Sequence, residues 1–248
     1  GGAIGTDYNP SDSDIEDMID ELNDYFSNAS GNSIDINVQF QLAARNPSCG
    51  SSTGINRIDA SGLSGYSTYG VKRTGSNGAD DEDLKALSRW PNSDYYNIWI
   101  VSEIDDKDGY PGTVGSFVTG YASFPGGSAL TDGTLMLASR VSPGITTLAH
   151  ELGHGLNLYH VFQGDGSGCP TDTDCTSDGD QCCDTPAQER NSSTCPGDGA
   201  TNSCTGATWS GDQKNLMDYS SCRDRFSDDQ RTRMRAAIEL YRSGLVNS

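Results

Sequence analysis

No run of about eighteen apolar residues occurs in this chain, so no segment has the length and apolarity of a transmembrane helix. Positive charge is scarce. Sixteen Lys and Arg stand against 35 Asp and Glu, a formal charge of −19, which makes nucleic acid and anionic membranes poor partners and cationic peptides better ones. Paired C-x-x-C units are missing too, and the adjacent Cys182 and Cys183 cannot supply the geometry of a cysteine-ligated zinc, so that class is set aside. No internal repeat argues for a solenoid or propeller. The first residues are polar and Gly-rich where a signal peptide would be apolar, so the numbering is expected to start at a mature terminus.

What is present points outward from the cell. Eight cysteines, six of them between Cys169 and Cys204, in a chain rich in Gly, Ser, Asp and Thr, read as a disulfide framework formed in an oxidising compartment. A secreted, extracellular protein is expected. The length suits one domain over residues 1–248, and a monomer is expected.

Histidine is confined to eleven consecutive positions, His150-Glu151-Leu152-Gly153-His154-Gly155-Leu156-Asn157-Leu158-Tyr159-His160. On a helix, His150 and His154 project from one face one turn apart, so both imidazoles reach a single metal. A zinc ion with three protein nitrogens keeps its fourth position for water, and Glu151 beside it can take the water's proton and later deliver it to a leaving amine. For His160 to be the third ligand the helix must stop between it and His154. Asn157 stands there, and asparagine is, after glycine, the residue that best tolerates the left-handed conformation such a stop requires. The competing reading, a chance helix with two exposed histidines, is weakened by the third His and the turn-forming residue.

This pattern resembles that of the metzincin metalloproteases, H-E-x-x-H-x-x-G-x-x-H followed by a methionine-containing turn, with Asn157 in place of the glycine and Asn215-Leu216-Met217-Asp218-Tyr219 as the turn. More closely, His150 to Gly164, Asp184-Thr185-Pro186, and Asn215 to Arg225 with the later Arg231-Thr232-Arg233-Met234 resemble the pappalysin (cytophagalysin) family over roughly residues 89–242. The resemblance implies a secreted zinc endopeptidase of α+β class: a metzincin-like zincin with a twisted mixed sheet and the active-site helix in an upper subdomain, residues 1–160. A loop-rich, disulfide-linked lower subdomain, residues 161–248, would carry an acidic loop, the methionine turn and a closing C-terminal helix. Met217 would floor the metal site. Tyr219 would stabilise the reaction intermediate by hydrogen bonding to the developing oxyanion; the alternative is a tyrosine packed under the turn with its hydroxyl satisfied locally. The resemblance also implies the pairings Cys195–Cys222 and Cys175–Cys204. Cys49 is left to cross-link to Cys182 or Cys183, or to serve as a thiol ligand of latency.

Several further expectations come from the residues themselves. Ser11 to Ser27 predicts an amphipathic helix behind a Ser/Asp cap, with Ile15, Met18, Ile19, Leu22 and Phe26 on the buried face. Strands are expected at Ile34 to Leu42, Ile55 to Ile58, Tyr96 to Ile104 (as a central strand), Ser116 to Phe124 and Gly133 to Val141, and helices at Asp81 to Trp90, Thr146 to Asn157 and Ser227 to Arg242. Ser116 to Phe124, with Gly115 and Gly120 near it, is either an edge strand that adds a substrate peptide or an ordinary interior strand. Asp172, Asp174, Asp178, Asp180 and Asp184 form an oxygen-rich loop that is either a calcium site or a solvated acidic surface. The family pattern associates Asp180 and Thr185 with calcium, and Asp178 and Asp184 are added as candidate ligands.

The expected activity is therefore zinc-dependent endopeptidase action on peptides or proteins. The competing readings are a catalytically weak metal-dependent protein-binding module and a zinc amidase. Specificity is expected to be broad: where arginine-directed relatives carry an acidic residue before the cysteine that follows the methionine turn, this chain has Ser221, and only a turn that rotated Asp218 or Asp224 toward the pocket would replace that charge.

Overall fold

The apolar run Thr134–Leu137 forms strand β3, buried at every position, around which the first of two compact units is built. A computed structural model describes residues 2–29, 31–166, 168–191 and 194–246. The first unit comprises Gly1–Leu22, Phe40–Glu151 and Tyr241–Ser248, and the second Asn23–Gln39 and Leu152–Leu240. The division falls inside the zinc-motif helix, between Glu151 and Leu152, and not after His160.

In the first unit β3 is the middle strand of three, with β1 (Ile98–Val101) parallel on one side and β2 (Gly120–Ala122) antiparallel on the other. Ile98 pairs with Thr134 and Val101 with Leu137; Gly120 pairs with Met136 and Ala122 with Thr134. The expected central role of Tyr96 to Ile104 thus belongs to β3, whose four residues are all buried, whereas β1 alternates between half-buried and buried positions. Beyond β1, Val71 donates to the Glu103 carbonyl and accepts from Asp105 N–H, so the chain after the strand is also backbone-paired. Val71, Leu84, Trp99, Val101, Ile104, Leu135 and Leu137 make the core. Lys85 is buried there as well, its ammonium 2.9 Å from both Asp81 and the Thr131 carbonyl, which satisfies a charge that would otherwise be costly to bury.

Helix α1 spans Asp12–Ser27, and its predicted apolar face is buried. Its start is a reciprocal cap: Asp14 N–H donates to Ser11 Oγ and Ser11 N–H to Asp14 Oδ2. The short helices α2 (Tyr66–Tyr69) and α3 (Asp81–Ala86) follow, α3 capped by Asp80, which accepts from Glu82 N–H. Two expected strands do not form ladders. In Ile34 to Leu42 the Asp35 carboxylate accepts from Asn37 N–H and Asn37 takes φ 59°, a local turn that breaks an extended run. In Ile55 to Ile58 the backbone is irregular, and Arg57 reaches to Asn9, Pro10 and Asp12. After β3 the chain closes into a 3₁₀ turn at Ala138–Arg140, cutting short the strand expected to Val141.

Helix α4, Thr147–Gly155, runs from the first unit into the second, and α5, Asp228–Tyr241, is the last long helix. Between them the second unit is almost all loop, held by Cys169–Cys204, Cys175–Cys183 and Cys195–Cys222. Cys195–Cys222 agrees with the expectation; Cys175–Cys204 does not form. The reason is local. The chain reverses through Gly179 (φ 55°) and Gln181 (φ 61°), bringing Cys183 to a Cα separation of 4.9 Å from Cys175 and leaving Cys204 to Cys169. The cross-link from Cys49 is not made either: Cys49 is an exposed thiol, and Cys182 a buried one whose thiol burial pushes up to about 12.

Candidate metal centre

Leu148, Ala149 and Leu152 are buried along α4, with Leu156 just past its end, and this apolar stripe fixes the rotation of the helix, so His150, Glu151 and His154 are buried with it. The helix then ends in a Schellman turn. Leu158 N–H donates to the Gly153 carbonyl and Asn157 N–H to the His154 carbonyl, with Asn157 at φ 76°, the left-handed residue the sequence required. That reversal brings His160 back: candidate ligand atoms of His150, His154 and His160 all lie within 4.8 Å of one another.

The donor set fits zinc. His154 Nε2 and His160 Nε2 are 3.1 Å apart, close to the spacing of about 3.3 Å that two nitrogens on a tetrahedral zinc would have. His154 Nδ1 lies 2.7 Å from the Leu158 carbonyl, which can only accept, so Nδ1 carries the proton and Nε2 is the nitrogen left for metal. Burial pushes the His154 imidazole down, and burial first, then His154, Arg190 and Arg223, pushes His160 down to about 3. Neutral rings are the form that binds metal.

Around His160 the walls are aromatic. Its ring stacks on Phe162 at 4.6 Å and meets the Tyr219 ring edge-on at 4.9 Å. Tyr219 is 38% exposed, so the residue expected near the metal lies beside His160 and is open to solvent. Arg190 covers the Phe162 ring at 4.9 Å and pairs with Asp165.

Met217 is fully buried, its N–H held by Asn215 Oδ1 at 2.9 Å and its carbonyl accepting from Val161 N–H. Asn215 in turn exchanges two side-chain hydrogen bonds with Gln230 of α5, at 2.9 and 3.1 Å. The turn sits directly under α4, because a Cβ placed on Gly153 would run into the Met217 sulfur. Gly153 is therefore a functional position that the motif reading passed over; a glycine inside a helix, at a cost of about 1 kcal/mol against alanine, was the signal. In the first unit, Gly120 of β2 plays a similar part, since a Cβ there would stand 3.3 Å from Glu151 Cγ. The terminal strand of the described sheet thus passes beside the candidate base.

The acidic loop does not converge on one point. Asp178 Oδ2 accepts from Thr173 and Asp174 N–H, and Asp184 accepts from Ser227 Oγ and Asp229 N–H at the start of α5. Each caps a local turn or helix end, and Asp184 lies close enough to Asp180 to add to the rise that burial gives its carboxyl. Asp180 and Thr185 do meet, with Thr185 Oγ1 donating to Asp180 Oδ2 at 2.7 Å, both buried. Burial pushes the Asp180 carboxyl up to about 6. Ser221 is exposed, Asp224 is paired with Arg225 at 2.6 Å, and Asp218 is 1% exposed with no hydrogen-bond partner for Oδ2 among the described residues.

The Peptidase_M43 family model, described as pregnancy-associated plasma protein-A, matches residues 78–239. An extracellular metalloprotease of Sordaria macrospora is 32% identical over 239 residues, covering 85% of this chain and 76% of that one. Another, from Colletotrichum graminicola, is 33% identical over 175 residues, or 66% of this chain and 57% of its own length. Among solved structures, mature mirolysin of Tannerella forsythia in complex with a cleaved peptide superimposes with a TM-score of 0.68 at 25% identity, covering 92% of this chain and 85% of that one.

Proposed function

The chain belongs to the peptidase M43 family and is a zinc metalloendopeptidase, and we propose that it is secreted and hydrolyses peptide bonds of broad sequence with Glu151 as general base. Its fold is the α+β, metzincin-type zincin fold. The observation that carries the mechanism is the convergence of three imidazoles, two buried and one half-buried, with Glu151 next to the first of them and Tyr219 beside the last.

When bound by His150, His154 and His160, zinc supplies the Lewis acidity that brings a water toward neutral pKa and polarises a carbonyl. Glu151 takes that water's proton and returns it to the leaving amine. Tyr219 donates a hydrogen bond to the carbonyl oxygen as negative charge develops on it. β2 has a ladder partner on one side only among the described residues, and its other side offers backbone donors and acceptors to an extended peptide close to Glu151.

Broad specificity follows from the chain after the methionine turn. Ser221 bears no charge and Asp224 is already paired, so neither offers an arginine side chain the bidentate partner a strong preference needs. A structural calcium at the Asp180–Thr185 pair is part of this proposal; what supports it is the meeting of the two oxygen-bearing side chains, 2.7 Å apart and both buried. Secretion is supported by the three disulfides and by the extracellular relatives.

The test is digestion of a proteome-derived peptide library with and without a zinc chelator, read by mass spectrometry. Chelator-sensitive cleavage at many residue types is expected. Overwhelming arginine on one side of the cut would overturn the specificity reading, and full activity of Glu151→Gln would overturn the mechanism.

A further inference from the structure

We propose that Arg233 of α5 is a positioning residue for the zinc site: its guanidinium fixes the Schellman turn that aims both His154 and His160. The proposal rests on the three histidines being the zinc ligands. Arg233 Nε donates to the Asn157 carbonyl at 2.6 Å, and Nη1 donates to Gln181 Oε1 at 2.8 Å. Its guanidinium also lies over the Tyr159 ring, 4.7 Å from the centroid. One side chain therefore grips residues 157, 159 and 181.

Asn157 is where a small rotation does most damage. Residue 158 supplies the carbonyl that holds His154 Nδ1, and the chain from 158 to 160 carries His160 to within 3.1 Å of His154. Two of the three ligands thus take their orientation from the backbone on the far side of one left-handed residue. That conformation is less favourable for asparagine than for glycine, so the turn needs an external hold. The Arg233 bond supplies it, and the hydrogen bond is charge-assisted, hence stronger than a neutral one.

The fork geometry matters. Nε and Nη1 diverge toward two acceptors at once, which a single ammonium cannot reproduce from one position. Gln181, the second acceptor, takes φ 61° and follows Asp180 directly, so Arg233 also ties the disulfide-bounded loop of residues 175–183 to the zinc turn. Groups that orient metal ligands without touching the metal typically contribute about 10- to 100-fold to metal affinity.

The experiment measures zinc dissociation from full-length protein into excess chelator, with every protein also carrying Glu151→Gln to prevent self-cleavage. Arg233→Ala is expected to release zinc about 10- to 100-fold faster, Arg233→Lys to fall between it and the parent, and Gln181→Ala to accelerate release less than Arg233→Ala. Melting of the zinc-free proteins is the control for a merely structural role. Release rates unchanged in Arg233→Lys and Gln181→Ala, or rates that only follow zinc-free melting temperature, overturn the proposal. If Arg233→Ala does not fold, the Lys and Gln181 variants decide it by the same criterion. A parent protein that binds no zinc would instead refute the ligand assignment. In the Glu151 protein, kcat should fall more than KM rises, since Arg233 acts through the ligands and not on the peptide.

Discussion

Replacing Gly153 with alanine sets two effects of opposite sign against each other. In an isolated helix the change stabilises by about 1 kcal/mol, because alanine is the better helix former. Here the new methyl would enter the space of the Met217 sulfur, the far end of a flexible side chain that must shift within a fully buried site. Overpacking of this kind costs about 1–3 kcal/mol. The sum is a net destabilisation of about 0–2 kcal/mol, or a loss of up to roughly 8 °C in melting temperature for a chain of this size. Activity should suffer more than stability, since Gly153 lies on the helix between His150 and His154 and any shift of that backbone moves both ligands. Met217→Ala alone should destabilise by about 2–5 kcal/mol through its cavity. The double variant should be more stable than the sum of the single effects predicts, because the introduced methyl then fills space instead of colliding. Urea unfolding of the four proteins in a Glu151→Gln background gives the cycle. A Gly153→Ala protein more stable by the full helix-propensity gain, with additive behaviour in the double variant, would refute the contact between the methionine turn and α4.

Glu151→Gln should keep about one zinc per chain while hydrolysis falls by about 10²–10⁴-fold, measured on casein with metal content by atomic absorption. Arg242 and Asp132 form a buried bidentate pair at 2.8 and 2.9 Å, and Arg242→Met should cost about 3–5 kcal/mol by leaving the carboxylate unpaired. Burial pushes the Asp132 carboxyl up, but Arg242 and Asn92 outweigh it and hold it below its usual range. The pair's stabilisation is therefore present above the unfolded carboxyl pKa of about 3.9 and lost as pH falls through the folded value, so melting curves of parent and Arg242→Met should converge below about pH 4. Asn157→Gly should match or exceed the parent in stability, and Asn157→Ala should lose about 1 kcal/mol by calorimetry; the reverse order would sink the left-handed assignment. Calcium in the millimolar range should raise the melting temperature of the parent and leave Asp180→Ala indifferent, and indifference of both would remove the calcium assignment.

Helices were legible where an apolar stripe coincided with a cap. Ser11 to Ser27 has both, and α1 begins one residue later with Ser11 and Asp14 bonded reciprocally. Strands were less so, because alternation alone does not create a partner. Ile34 to Leu42 alternates well enough, yet the Asp35 carboxylate accepts from Asn37 N–H and the chain turns there, with Asn37 at φ 59°. Gly133 to Val141 and Tyr96 to Ile104 were both recognisable as strands, but which one lies in the middle depends on pairing between residues more than thirty positions apart. Burial on both faces, the property that marks β3, is visible only after the sheet exists.

The metal site and the acidic loop mark the two extremes of what short-range sequence can carry. Three candidate ligands within eleven residues are related by one helix turn and one reversal, so local geometry nearly determines their convergence once Asn157 takes its positive φ. In the acidic loop the same counting fails, since each Asp has a nearby backbone N–H competing with any shared cation. Asp178 and Asp184 were captured by the turn at residues 173–178 and by the start of α5, while Asp180 alone was driven inward. Gly153 and Gln230 were given no role by the motifs, and Arg233, though within a segment resembling the family, was given none either, because these residues act across the fold on the backbone or beneath the helix. For Arg233 the reversal at Asn157 matters, since the carbonyl Arg233 holds is that residue's own. A sequence search for such residues should therefore begin from the positions where the ligand-bearing backbone must adopt an unfavourable dihedral, and ask which distant arginine or glutamine could hold it there.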